Sequence, residues 1–166
     1  MPYPNDLLEQ ARHLANREPQ RPRQASLRRA VSTAYYALFH LLGTEVAKNW
    51  KRVAERATLA RMLDHGPMAR VCTTKRDELN KYFTTRPPAS PQLTVLRHIH
   101  TITNAFEQMH QQRQIADYDT SSKWGRTDVL EKIESVQAAF DSWRAIRDEP
   151  EAQKFLVTLL LKERKY

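Results

Sequence analysis

A run of thirteen residues without charge, proline or glycine, Ala30 to Leu42 (AVSTAYYALFHLL), constrains the fold more than any other part of the chain. Read as a helix, it carries apolar side chains on more than one face: Val31, Ala34, Leu38 and Leu41 on one side, and Tyr35, Phe39, Leu42 and Val46 on another. A surface helix shows a single apolar stripe, so this helix must be enclosed by other elements. The run is too short to cross a bilayer. The sequence therefore predicts the central helix of a soluble bundle, from about Ala25 to Asn49.

A second long helix is predicted from Pro91 to about Asp117. Steps of three and four residues select one row along it: Leu96, Ile99, Thr103, Phe106, His110, Arg113 and Asp117. This spacing is that of a helix face in a protein core. The row changes from apolar to ionisable at its C-terminal end, and polar groups at buried positions need a partner or a function. We expect the functional site at this end.

The remaining segments also have helical periodicity. Asn5 is placed to cap a first helix, and a stretch from Val53 ends at Gly66–Pro67, a common signal for a helix terminus. A weaker helix covers Met68 to Phe83. The proline-rich Thr84 to Pro91 and the polar Tyr118 to Arg126 read as loops.

A further helix is predicted to begin near Thr127, which is placed to cap it, with a core row that runs from Val129 to Trp143. Pro150 opens a last segment, apolar on more than one face, which packs on the bundle or on a partner protein.

With three glycines and no alternating strand pattern, the chain is predicted to be all-α. One bundle domain covers residues 1–149, followed by an additional C-terminal helix in 150–166.

Charge and cysteine content limit the class of protein. The formal net charge is +8, which permits attraction to nucleic acid or to an acidic protein. The single cysteine, Cys72, excludes an internal disulfide and fits a reducing compartment. The N-terminal residues show no signal peptide and no segment is long enough to span a membrane, so we expect a cytoplasmic protein without membrane association.

The familiar motifs of metal and nucleotide sites are missing from the sequence. There is no HExxH, no CxxC and no glycine-rich phosphate loop among the 166 residues. His98 and His100 are two residues apart, so on a helix they point away from each other. Cys72 has no marked base near it in sequence and reads as a small core residue. We therefore expect neither a metal nor a cofactor.

The C-terminal end of the second long helix supplies the candidate site: His110, Arg113, Asp117 and Tyr118 (HQQRQIADY). Arg113 and Asp117 are four residues apart and can pair along the helix. One interpretation is a structural ion pair between helices. The other is an arginine held ready for phosphate, whose oxygens its planar guanidinium matches.

Three residues of the central helix are candidates to complete this site. Tyr35 and Tyr36 point to adjacent sectors, and their hydroxyls need partners if buried, for which Arg113 or Asp117 would serve. His40 is either a hydrogen-bonded core histidine or a catalytic group.

Two segments together resemble the small HEPN proteins (higher eukaryote and prokaryote nucleotide-binding). LRRAVSTAYYALFHLL is similar to their early helix with an AYYA-like core, and RQIADYD to their later R-x-x-ADY segment. ATLARMLDHG stands where the family often carries a histidine-bearing helix. The resemblance covers roughly residues 5–145. It implies an up-and-down bundle of four to five core helices, usually a homodimer.

The same resemblance carries expectations about function. Many HEPN proteins are metal-independent ribonucleases with an R-x4-6-H motif, often toxins beside a nucleotidyltransferase antitoxin, whereas other members only bind or assemble. Here Arg113 matches the motif arginine, but Tyr118 stands five residues later where a histidine is expected. A phenol with a pKa near 10 is a poor base at neutral pH.

We therefore predict a non-catalytic module that binds nucleotide, RNA or a protein partner through Arg113, with Asp117, Tyr118 and Tyr35 or Tyr36 orienting it. One alternative is a ribonuclease of a toxin–antitoxin or defence system with a rearranged site, which uses Arg113 and His110. Another alternative is a scaffold whose C-terminal segment, Phe155 to Leu161, docks a partner.

Overall fold

The computed structural model describes residues 2–161 and confirms the all-α prediction, since that part of the chain contains only helices, turns and loops. Its seven α-helices, in chain order, are α1 (Tyr3–Ala15), α2 (Gln24–Lys48), α3 (Arg56–Arg61), α4 (His65–Thr84), α5 (Pro91–Tyr118), α6 (Arg126–Ile146) and α7 (Pro150–Thr158). A short 3-10 helix, Val53–Glu55, leads into α3.

Helix α2 is the centre of the bundle, as its uncharged run predicts. It packs against α1, α5 and α6, and its apolar side chains are buried on several faces: Leu27, Ala30, Val31, Ala34, Tyr35, Ala37, Leu38 and Leu42 are all 0 % exposed. Burial of apolar side chains on all sides supplies the main driving force for placing this helix inside.

Helix α5 lies antiparallel to α2. Side chains near the start of α2 contact the C-terminal end of α5, as in the Ser32–Asp117 hydrogen bond, and Tyr35 contacts Phe106 nearer the middle. The Arg28 guanidinium fixes this alignment because it donates to the carbonyl oxygens of Ala116 and Asp119, at 3.0 and 2.7 Å. A cation at a helix C-terminus also interacts favourably with the helix dipole. The ionisable end of α5 is thereby held beside the N-terminal half of α2.

Three predicted helix ends are wrong. Asn5 lies inside α1, which starts at Tyr3 with Pro4 in its first turn, and Thr127 lies inside α6, which Gly125 precedes. Gly66–Pro67 opens a helix instead of closing one, because α4 begins at His65. Proline is tolerated in a first turn, where its missing N–H has no helical partner to lose. This last correction moves His65 onto a helix that packs against α5.

Helix α7 packs against α2 and α5, burying Ala152, Phe155 and Leu156, and the buried Leu159 follows its last turn. Val157 and Leu161 are 63 % and 62 % exposed, so only part of this apolar segment is covered. Residues 162–166 of the predicted C-terminal segment lie outside the described residues. None of the helices within 2–161 combines the length and apolar character that a membrane crossing requires.

Candidate functional site

Arg113 of α5 lies among ring-bearing side chains from three helices. These side chains and Arg113 are here called the Arg113 cluster. The ring-bearing members are Tyr35, Tyr36, Phe39 and His40 of α2, His65 of α4 and His110 of α5. The Arg113 side chain is only 11 % exposed. The guanidinium carbon is 5.3 Å from the ring centre of Tyr35 and 5.6 Å from that of Tyr36. Cation–π contacts of this kind hold the guanidinium beside the two phenol rings.

The hydrogen-bonding capacity of Arg113 is only partly used. Its Nη1 lies 3.5 Å from the Tyr36 hydroxyl and 3.6 Å from a carboxylate oxygen of Asp117, both long separations. The Nε atom is buried and has no hydrogen-bond partner among residues 2–161. A guanidinium offers five N–H donors, and leaving the buried Nε unpaired costs free energy. The predicted pairing of Arg113 with Asp117 is present, but at 3.6 Å it is long, so it uses little of the capacity of the guanidinium.

Tyr35 forms the deepest polar contact of the cluster. Its side chain is fully buried, and its hydroxyl lies 2.7 Å from Nδ1 of His65. Burial raises the pKa of Tyr35 well above its usual value, so the phenol stays neutral. The sequence suggested Arg113 or Asp117 as the partner of this hydroxyl. That suggestion fits Tyr36 and is wrong for Tyr35, whose partner comes from α4.

His65 is enclosed by aromatic rings. It stacks on Phe39 at 4.0 Å between ring centres, and the rings of Tyr35 and Tyr36 lie 5.5 and 5.7 Å away. Burial lowers the pKa of His65, and the nearby positive charge of Arg113 lowers it further. The imidazole is therefore neutral at pH 7.

Two more histidines complete the cluster. His110 lies one turn before Arg113, with its ring 5.8 Å from Tyr35, and His40 lies 6.4 Å from Tyr36. Burial lowers the pKa of both, and Arg113 adds to the effect at His110. Tyr3 of α1 contacts His40 at 5.1 Å from the outer side. Of the three imidazoles, His65 and His110 are close enough to Arg113 for its charge to lower their pKa, whereas His40 reaches the cluster through Tyr36 and Phe39.

Asp117 forms the edge of the cluster toward the start of α2. One of its carboxylate oxygens accepts a hydrogen bond from the Ser32 hydroxyl at 3.3 Å and faces Arg113. Tyr118, predicted to orient Arg113, is 74 % exposed and makes no hydrogen bond or ring contact with the cluster within the described part of the chain. The remaining predicted site residues, Tyr35, Tyr36, His40, His110, Arg113 and Asp117, are brought together.

The sequence did not single out His65 or Phe39 as site residues. His65 has no spacing relation to Arg113 along the chain, and Phe39 has the pattern of an ordinary core residue. The one indication for His65 was its place in ATLARMLDHG, the segment that resembles a histidine-bearing helix. Its contact with the site depends on α4 starting at His65 and packing against α5.

Two of the three histidines outside the cluster have structural partners, and the third, His13, is exposed on α1. His98 bonds to the Ser142 hydroxyl at 3.0 Å, and His100 to the Asn80 side-chain oxygen at 2.8 Å. Cys72 is fully buried, and burial raises the pKa of its thiol, so it is unreactive. Within residues 2–161, no three histidine, cysteine or acidic side chains are grouped so that they would hold a metal ion.

The chemical capacity of the Arg113 cluster is anion binding with adjacent proton carriers. Tyr36, Phe39, His40, His65, His110 and Arg113 are each partly exposed, so a ligand can approach the guanidinium from solvent. The guanidinium suits the oxygens of a phosphate, and the exposed ring faces suit a flat, unsaturated group. Neutral imidazoles can donate or accept a proton near neutral pH.

No family model matches this sequence, and no curated protein or solved structure shows significant similarity to it.

Proposed function

We propose that this protein is a non-catalytic binding module that holds a phosphate group of a nucleotide or an RNA at Arg113. The observation that carries the proposal is the buried Nε of Arg113, which has no hydrogen-bond partner among residues 2–161 although two phenol rings hold its guanidinium in place. Charge-assisted bonds from the Nη atoms of the guanidinium to a phosphate would compensate for this incomplete pairing.

The surroundings of Arg113 favour a nucleotide over a bare anion. Tyr36, Phe39 and His40 present partly exposed rings next to the guanidinium, and single-stranded nucleic acids are recognised largely by stacking of bases on such rings. The net charge of +8 attracts a polyanion. The resemblance to HEPN proteins supports the same ligand class, and it adds a homodimer and a nucleotidyltransferase partner to the proposal.

Replacement of Arg113 by methionine tests the proposal, because methionine keeps an unbranched, apolar stem and removes the guanidinium with its charge. We expect Arg113→Met to weaken binding of a fluorescently labelled hexauridylate about ten- to hundredfold in an anisotropy titration, as the loss of a charged hydrogen-bonding group would. The slope of log Kd against log salt should also fall by about one.

Arg97→Met is the matched control, since Arg97 lies on the same helix with its guanidinium carbon 4.8 Å from the Phe83 ring, outside the Arg113 cluster. It should bind like the wild type. If Arg113→Met instead binds normally and only melts at a lower temperature, Arg113 is a structural ion-pair residue and the proposal is wrong.

A second candidate function, metal-independent RNA cleavage, is favoured by one observation. Neutral His65 and His110 both contact the Tyr35 ring, which Arg113 also contacts, and a neutral imidazole can accept a proton during attack by a 2′-hydroxyl. Labelled RNA incubated with the protein in chelator and run on a denaturing gel separates the two functions. A binding module leaves the RNA intact, whereas cleavage that disappears in both Arg113→Met and His65→Gln makes the protein a nuclease.

A further inference from the structure

We propose that anion binding at Arg113 is coupled to proton uptake by His65 and His110, so that the protein binds its ligand more tightly as the pH falls. This inference rests on the proposed function, since it concerns the same site. It comes from the packing of imidazoles from two helices against the Tyr35 ring, which the Arg113 guanidinium also contacts.

The ligand-free site disfavours a charged imidazole at either position. His65 is stacked on Phe39 and bonded to the Tyr35 hydroxyl, which removes it from water on two sides. His110 lies one helical turn before Arg113, and its ring contacts Tyr35. Protonation would place a second positive charge against the guanidinium in a partly buried setting, where charge repulsion is strong.

The groups that face these imidazoles come from every helix around the site. Arg113 acts on both histidines from α5, and His65 is also faced by His110 of α5 and His40 of α2; each of these groups lowers the pKa of the imidazole that it faces. Asp64 raises the pKa of His65, and Glu107 that of His110, but burial is the largest influence on both, and the net direction is downward.

The phenols and the remaining carboxylate complete these surroundings. Tyr35 and Tyr36 of α2 contact His65, and Tyr3 of α1 contacts His40. Asp117 lies on the side of Arg113 toward Ser32.

A bound phosphate favours the protonated form of both imidazoles. Its negative charge offsets Arg113 and attracts a proton to the nearest imidazoles, so the pKa of His65 and His110 is higher in the bound protein than in the free protein. At a pH between the free and the bound pKa of a histidine, ligand binding is accompanied by proton uptake. Affinity then rises as the pH falls, by up to tenfold per pH unit for each proton taken up. Above the bound pKa, affinity is independent of pH. Linkage is reciprocal, so a bound ligand also makes the histidines more basic.

Calorimetry measures this coupling directly. Hexauridylate without terminal phosphates is the probe, because its phosphodiesters and bases do not titrate between about pH 5 and 8, where histidine does. Titrations at one pH in two buffers of different ionisation enthalpy give the number of protons taken up. We expect uptake approaching one proton in the wild-type protein near neutral pH, and an affinity that increases toward acid pH.

His65→Gln and His110→Gln, made separately, should each reduce the uptake and flatten the pH dependence of Kd. His13→Gln is the control, because His13 is exposed on α1. The number of protons that this variant takes up on binding should match the wild type. If one histidine variant fails to fold, as seen in its melting curve, the other carries the test.

The possible failures are distinguishable. Tight binding of hexauridylate with no proton uptake overturns the coupling and leaves the proposed function intact. Uptake that is unchanged in both His65→Gln and His110→Gln overturns the assignment to these residues. Absence of hexauridylate binding by the wild type at every pH overturns the proposed function and the coupling with it.

Discussion

Asp117 shows how one side chain can serve both the fold and the site. Its carboxylate accepts a hydrogen bond from Ser32 and thus ties the end of α5 to α2. The same oxygen lies 3.6 Å from Arg113 Nη1, the position that a ligand phosphate would approach. The carboxylate therefore competes with any anion for the guanidinium, and it lowers the positive potential of the site before a ligand arrives.

Replacing Asp117 with asparagine removes this competition and keeps a side chain that can bond to Ser32. We expect Asp117→Asn to bind hexauridylate about two- to fivefold more tightly, the size that a weak, partly exposed ion pair supports. Anisotropy titration at low salt is the measurement. Weaker binding in this variant would contradict the competition and would mean that Asp117 orients the guanidinium for its ligand.

Tyr35 and Tyr36 are neighbours in sequence with different roles. Tyr35 is fully buried and bonds to His65, whereas Tyr36 is partly exposed and lies beside Arg113 Nη1. The sequence indicated that the two rings point to adjacent sectors. It could not assign the hydroxyl partner of Tyr35, because that partner comes from a helix whose start was placed wrongly.

At the scale of elements, α5 joins the core to the site. Its apolar row, including Ile99, Ile102, Phe106 and Met109, is buried, and its last turns carry His110, Arg113 and Asp117 to the edge of the bundle. The site is therefore built at the end of a rigid helix, which limits how far the guanidinium can move.

Helix α7 is the element whose role the sequence left open between core and docking surface. Phe155 is 2 % exposed and Val157 63 % exposed. We expect Phe155→Ala to lower the free energy of unfolding by about 3–5 kcal/mol, the cost of emptying a buried aromatic site, and Val157→Ala to change it by less than about 0.5 kcal/mol. Urea unfolding measures both. A small effect of Phe155→Ala would show that α7 adds little to the core and favour its role in docking a partner.

The elements themselves were largely predictable from sequence, and the helix order followed from periodicity. The uncharged run predicted the central helix to within two residues at each end, because an all-round apolar helix has few alternatives. Gly66–Pro67 was misread because the same pair of residues suits a helix end or a helix start, and only packing decides between them. That ambiguity is what hid His65 from the predicted site.

At the scale of the whole molecule, the positive charge has a local concentration in the segment that leads into α2 and in its first turns. Residues 17–29 contain five arginines and one glutamate, and Arg17, Arg21, Arg23 and Arg29 are exposed. Arg29 lies about one turn before Ser32, which contacts Asp117 at the edge of the cluster. A basic segment in this place would draw a polyanion toward Arg113, and its contribution should weaken as salt increases.

The central claim is that the guanidinium of Arg113 itself receives the ligand, and the arginine Nε–Hε resonances in a proton–nitrogen NMR titration test it most directly. With added hexauridylate, we expect the Arg113 resonance to shift and saturate with the same concentration dependence as binding, because a phosphate held at the guanidinium changes the charge around its Nε–Hε group. The Arg97 resonance should stay in place. If hexauridylate binds and shifts only the exposed arginines of residues 17–29 while Arg113 does not move, the ligand is held by surface charge alone and Arg113 is structural.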